Sequence, residues 1–176
     1  MTTSLTNKTV GIVGMGEIGK AFSKRVNSLS MKIVYFGPNK KNLKYKYFKN
    51  LKDMASIIDV MVITCIGGKE TKDLINKTIL KLMKPSSIIV NVSRGSVINE
   101  VHLLEVLNKN LIGGAALDVF KMEPKISNKF LKLKNVLLSP HNGSATFETR
   151  EKMANISSQN LLNLLYLNKI NNRVKY

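Results

Sequence analysis

Few side chains in this 176-residue chain can do chemistry, and they fall in short, separated segments. His141 stands in Ser139-Pro140-His141-Asn142-Gly143-Ser144 and Arg94 in Asn91-Val92-Ser93-Arg94-Gly95. Glu123 ends the run Leu117-Asp118-Val119-Phe120-Lys121-Met122-Glu123, just before Pro124. Imidazole is the side chain whose unperturbed pKa suits proton transfer near neutral pH. A carboxylate beside it favours the protonated ring and fixes its orientation. Arginine grips a carboxylate through two parallel hydrogen bonds, which lysine cannot do. The other candidates are weaker. His102 lies among Asn99, Glu100 and Glu105 on an expected helix and reads as a surface residue. Cys65 has no His or Cys near it in sequence, so it reads as a packing residue at a strand end. No cluster of His, Cys, Asp and Glu has the spacing of a metal site.

A fourth segment acts through its backbone. Gly14-Met15-Gly16-Glu17-Ile18-Gly19 has the GxGxxG spacing, and it follows an apolar run and opens a helical pattern. Gly14 permits a tight turn, Gly16 lets the backbone approach a pyrophosphate, and Gly19 lets helix and strand pack closely. The helix that follows offers free N–H groups and a positive dipole end to phosphates.

The elements around these segments alternate. Strands are expected at Thr9 to Val13, Met31 to Phe36, Val60 to Thr64, Ser87 to Val92, Ile112 to Val119 and Val136 to Leu138, with a short one at Tyr47-Phe48. Helices are expected at Ile18 to Leu29, with Ile18, Phe22 and Val26 on one face, and at Leu51 to Ile57, Lys77 to Met83 and Glu100 to Leu107. A long helix from Ala145 to Leu167 carries Met153, Ile156, Leu161 and Leu164 at apolar positions. Continuous apolar strands alternating with helices predict an α/β fold of the Rossmann type: a doubly wound, mainly parallel sheet in a single domain. The Arg94, Glu123 and His141 segments each follow a strand, so all three should meet at the carboxyl edge, where open α/β sheets bind ligands.

The segment after the second strand bears on the nucleotide. NAD sites place an Asp or Glu about 20 residues past the glycine loop, on the ribose 2′-hydroxyl. No acid occurs from Lys20 through Lys52, and the strand runs instead into Pro38, Asn39, Lys40 and Lys41. An acid there would repel a 2′-phosphate, whereas lysines and an amide would attract it. NADP(H) is therefore the preferred cofactor, with NAD(H) as the alternative.

Composition limits the remaining classes. The net charge is +17, but 24 lysines against 4 arginines are scattered along the chain, which argues against nucleic-acid binding and for attraction of anionic cofactors and acids. No run approaches the roughly 18 apolar residues of a membrane span. The polar start, Met1 to Lys8, is unlike a secretory signal, and a single cysteine allows no internal disulfide. A cytoplasmic location is the expectation.

From about Leu5 onward the chain resembles the D-2-hydroxyacid dehydrogenases, and within them the glyoxylate/hydroxypyruvate reductases. The resemblance rests on the glycine loop, on Ile66-Gly67-Gly68-Lys69-Glu70-Thr71, on the Arg94, Glu123 and His141 segments, and on Pro140 to Thr146 running into Glu148-Thr149-Arg150. It implies that Arg94 grips the carboxylate and carbonyl of a 2-oxo acid, with Glu123 and His141 as the acid–base pair. It places Gly143 and Ser144 with Arg94 and His141 at the substrate. Gly14, Gly16, Glu17, Ile18 and Gly19 would hold the cofactor, Ile66 and Val92 would line its cleft, and Asp118 would lie near the nicotinamide carboxamide. Pro38 through Lys41 fall where NADPH-using members hold the 2′-phosphate.

Members of that family are about twice as long, with the larger part of a substrate domain before the glycine loop. The whole chain, 1–176, is thus expected to be the NAD(P)-binding domain, with a helical remnant of the substrate domain from about residue 162 and the N-terminal substrate domain absent. Three readings stay open: an enzyme reducing a 2-oxo acid, either residual or completed by a separate chain that carries the substrate domain; an NAD(P)-binding regulatory module; and a truncated product without turnover. A homodimer is compatible with each.

Overall fold

The computed structural model describes residues 4–167. The chain divides into two compact units, Met1–His141 and Asn142–Tyr176. Within the first unit the order is β1 (Thr9–Val13), α1 (Glu17–Asn27), β2 (Lys32–Phe36), β3 (Lys46–Phe48), α2 (Leu51–Ala55), β4 (Val60–Ile63), α3 (Lys77–Leu82), β5 (Ile88–Asn91), α4 (Glu100–Asn108), β6 (Gly114–Leu117), α5 (Asn128–Leu131) and β7 (Val136–Leu138). Short 3₁₀ turns occupy Lys69–Thr71 and Gly95–Val97. The seven strands form one sheet in the order β3-β2-β1-β4-β5-β6-β7, and every strand pairing is parallel. The order reverses between β1 and β4, the switch point where such sheets bind ligands.

Strand periodicity explains the two cores. Val13, Val34, Met61, Ile63, Ile89, Ala115 and Leu117 share a face with buried residues of α2, α3, α4 and α5. Val10, Ile12, Ile33, Tyr35 and Val62 share the other face with Val26 of α1. Helices on both faces satisfy the requirement that a parallel sheet be covered twice. Coverage on the α1 face fades across the sheet: Ile12 and Tyr35 are fully buried, whereas Leu137 on β7 is 72% exposed. Asparagines start three of the helices. The side chains of Asn50, Asn76 and Asn99 accept N–H bonds from Lys52, from Thr78 and Ile79, and from His102.

Two expectations change. On α1 the buried residues are Gly19, Ser23 and Val26, while Ile18 is 61% exposed and Phe22 half-buried. The cause is Gly19, where an added Cβ would stand 2.3 Å from the carbonyl oxygen of Gly14. The helix turns its glycine, not its isoleucine, toward the sheet. His102 is half-buried rather than on the surface, and its Nδ1 accepts the backbone N–H of Lys77 at 3.2 Å, so it helps start α3. Helix α5, which anchors the buried Phe130, has too short a period to stand out in sequence.

The second unit holds α6 (Phe147–Leu167), two residues shorter at its start than expected. None of its residues is buried; Met153, Ile156, Leu161 and Leu164 are 41–57% exposed. The proposed remnant from about residue 162 is helical as far as Leu167, and its remainder lies outside the described residues. Among the described residues no helix is long and apolar enough to cross a membrane.

The uneven coverage sets a test. Ile89→Ala, at a fully buried position in β5, should cost about 2–5 kcal/mol in denaturant unfolding. Leu137→Ala should stay within about 0.5 kcal/mol. Equal losses at the two positions would mean that the β7 end of the α1 face is covered in solution.

Candidate active site

The glycine loop is shaped by contact between β1 and β4. Gly14 has φ +100, and a Cβ there would lie 2.5 Å from Cα of Cys65. Only glycine meets both conditions. The Gly14 N–H donates to Phe36 O (2.9 Å), and Thr64 Oγ1 donates to Gly14 O (2.7 Å). Gly16 has open space where a Cβ would stand, and it is the N-cap of α1 with no side chain capping the helix. The first-turn N–H groups therefore face outward without a side-chain acceptor.

A cleft of about 450 Å³ opens at this loop. Gly14, Met15 and Gly16 line one part, Pro38, Asn39 and Lys41 another, and the segment from Thr64 to Thr71 the rest, including Ile66 and Glu70. Exposed Lys40 and Ile18 do not line it, and Glu17 pairs outward with Lys20 at 2.9 Å. An uncapped helix end, a glycine with room for a ligand and a cleft of this size fit a dinucleotide. Val92 and Asp118 lie elsewhere, in a recess of about 100 Å³ that they share with Ser139. Asp118 is buried and accepts a hydrogen bond from the Ser139 hydroxyl.

The reactive residues converge from three strand ends. Glu123 Oε2 lies 2.7 Å from His141 Nδ1, and its Oε1 accepts the Phe120 N–H at 2.8 Å. The bond to His141, then the Phe120 N–H, hold the Glu123 carboxyl below its ordinary pKa of 4.5; the charge of Arg94 acts in the same direction. Arg94 is exposed, and one guanidinium nitrogen donates to Ser93 O at 2.7 Å. Its loop and the Glu123 loop touch backbone to backbone: a Cβ on Gly95 would stand 2.0 Å from the carbonyl carbon of Phe120. His141 itself adopts φ +52. Gly143 and Ser144 are exposed and belong to the second unit, where Ala145 N–H donates to Asn142 O (2.9 Å).

Several supporting residues were not singled out from sequence. Asn91 is 1% exposed; its side chain donates to Arg94 O (3.0 Å) and accepts from Ser93 N–H (3.1 Å), which sets the turn that carries Arg94. A polar residue closing an apolar strand was the available signal. Glu100 accepts the Lys121 N–H at 2.7 Å and so ties α4 to the Glu123 loop. Thr64 and Ser139 are strand-end hydroxyls whose partners only the folded sheet reveals. Cys65 is partly buried, and burial pushes its thiol up, in keeping with a packing role.

A Rossmann-type sheet with a glycine loop at its switch point, and with an Arg, a Glu and a His gathered at its carboxyl edge, is the architecture of a dinucleotide-binding domain. The family described as D-isomer specific 2-hydroxyacid dehydrogenase, NAD binding domain, matches residues 1–143, and the chain belongs to it. It is 38% identical over 162 residues to a hydroxyphenylpyruvate reductase of Plectranthus scutellarioides, covering 92% of this chain and 52% of that protein. It is 40% identical to a glyoxylate reductase of Pyrococcus furiosus, covering 90% and 48%. The crystal structure of an NADPH-dependent glyoxylate/hydroxypyruvate reductase from Sinorhizobium meliloti, in complex with NADP and malonate, superposes with a TM-score of 0.93 at 32% identity, covering 95% of this chain and 53% of that one. The chain thus spans about half the length of these relatives.

The pairing of Glu123 with His141 can be tested by titration. In His141→Ala the Glu123 carboxyl loses its main stabilising bond and should titrate at higher pH, read by ¹³C NMR of the carboxyl. The depressed value also means that the pair stabilises the fold above the ordinary carboxylate pKa and ceases to as pH falls through the lowered one. An unchanged titration in the variant would show that the contact does not form in solution. Gly95→Ala should unseat both loops together and destabilise by more than about 1 kcal/mol.

Proposed function

We propose that the chain is the cofactor-binding and proton-transferring half of an NADP(H)-preferring reductase of small 2-oxo acids, such as glyoxylate or hydroxypyruvate. The observation that carries this reading is the 2.7 Å contact of Glu123 with His141, with the charge of Arg94 alongside, at the same sheet edge as the glycine loop. The cofactor, when bound, supplies the hydride that adds to C2 of the acid. His141 delivers the accompanying proton: Glu123 engages Nδ1, and Nε2 is the ring nitrogen left for the carbonyl oxygen. Arg94 keeps guanidinium donors beyond the one bonded to Ser93 O, enough to hold the substrate carboxylate. Gly143 and Ser144 are assigned to the substrate by family resemblance. Val92 and Asp118, which share one recess, are assigned to the nicotinamide end, with Ser139 fixing the Asp118 carboxylate.

NADP(H) is favoured by Asn39 and Lys41, which line the cleft with no acid on the same loop. One observation favours NAD(H): Glu70 lines that cleft and offers a carboxylate to a ribose hydroxyl. Efficient turnover is proposed to need the residues that the full-length relatives carry outside the matched half, whether in a separate chain or in sequence continuous with this one. A homodimer remains compatible with this reading, as does a cytoplasmic setting. A regulatory module that binds cofactor without turnover is the competing reading.

Binding and turnover separate these readings. NADPH should bind more tightly than NADH. Lys41→Ala should weaken NADPH about tenfold, Lys40→Ala less, and neither should much affect NADH. Alone, the chain should oxidise NADPH with glyoxylate or hydroxypyruvate far below the roughly 1–1,000 per second of complete enzymes. Supplying a substrate domain should restore the rate, and His141→Gln should then lower kcat by about 10²–10⁴. A preference for NADH would overturn the cofactor assignment, and tight binding with no turnover in the completed system would favour the regulatory module.

A further inference from the structure

The loop that carries Asn39 and Lys41 is held at both ends by phenol hydroxyls. Tyr35 on β2 is fully buried, yet its hydroxyl reaches the Lys41 peptide: the Lys41 N–H donates to Tyr35 Oη at 2.8 Å, and Tyr35 Oη donates to Lys41 O at 3.2 Å. Both hydrogen-bonding capacities of the phenol are thus spent on the backbone of one residue, on the two peptide groups that flank the Lys41 Cα. Tyr47 on β3 donates to Gly37 O at 3.1 Å, and the two rings pack with centroids 5.3 Å apart. The segment between these anchors, from Pro38 to Lys40, is exposed, and Pro38 restricts its backbone further. A buried tyrosine inside an apolar core is costly unless its hydroxyl has a partner, and a phenylalanine would fill the same space. What the hydroxyl adds here is the position of the loop.

We propose that Tyr35 and Tyr47 are positioning residues for cofactor choice: they clamp the Gly37–Lys41 loop so that Asn39 and Lys41 stay presented to the cleft where a 2′-phosphate would sit. The inference rests on the NADP(H) reading above. A flexible loop would pay the cost of ordering each time it bound the phosphate, and the clamp removes that cost beforehand. The effect should therefore fall on ligands that bear a 2′-phosphate and spare those that do not.

The test uses the full chain, with adenosine 2′,5′-bisphosphate and adenosine 5′-monophosphate as calorimetric probes. The parent should prefer the bisphosphate. Tyr35→Phe, which removes two hydrogen bonds, should reduce that preference about tenfold, and Tyr47→Phe, which removes one, about threefold, with binding of the monophosphate nearly unchanged. Amide exchange supplies a ligand-free readout: the Lys41 N–H should exchange slowly in the parent and quickly in Tyr35→Phe. Should Tyr35→Phe fail to fold, Tyr47→Phe on the edge strand decides alone. A parent that prefers the bisphosphate, with variants that keep the full preference or lose both probes equally, would overturn the clamp and leave the NADP(H) reading standing. A parent with no preference for the bisphosphate would overturn that reading, and the clamp with it.

Discussion

The approach of β1 to β4 at the switch point is the constraint on which the rest of the molecule depends. Gly14 takes a positive φ against the backbone of Cys65, and Gly19 presses onto the carbonyl of Gly14. Together they set how α1 leaves the end of β1, with its N-terminus at the loop free of a side-chain cap. Thr64 fixes the turn from the β4 side. A side chain at either glycine would push the loop, the helix and the neighbouring strand apart, so the cleft is a consequence of backbone packing before any ligand is considered.

The same logic of close backbone approach builds the corner where Arg94, Glu123 and His141 meet. Gly95 meets the Phe120–Lys121 peptide with no room for a Cβ, which sets the distance between the Arg94 turn and the Glu123 loop. Asn91 shapes the first of these and Glu100 holds the second. The carboxylate of Glu123 then bridges the Phe120 N–H and His141, so the segments that follow β6 and β7 are joined through one acidic side chain. Its lowered pKa is the electrostatic mark of that bridge.

Much of this was legible in the amino-acid sequence because a parallel sheet writes itself in apolar runs. Every strand appeared near its expected place, and the three reactive residues sit after β5, β6 and β7. What sequence left out depended on partners that only folding supplies. Ile18 looked like a core residue by period, but the close approach of Gly19 rotated the helix. His102 looked exposed among polar neighbours until α3 arrived with a free Lys77 N–H. The hydroxyls of Tyr35, Thr64 and Ser139 carry no mark in sequence that separates them from ordinary strand residues. Lys40 and Lys41 are equivalent by composition, and only the path of the loop distinguishes them at the cleft.

The two ends of the site differ in how finished they are. At the glycine loop the geometry is set by buried backbone contacts and by a loop anchored on the core. At the other end, the His141 and Glu123 side chains are 46% and 33% exposed. An ion pair that wet is weak in itself, because solvent screens it. Proton transfer to a carbonyl gains from the same pair once water is excluded, since the interaction strengthens as the local dielectric falls. Among the described residues up to His141 none closes over these side chains, so the acid–base role proposed for the pair depends on enclosure from elsewhere. On the proposed function, the cofactor end is thus preorganised by backbone packing, while the proton transfer assigned to His141 is conditional on enclosure.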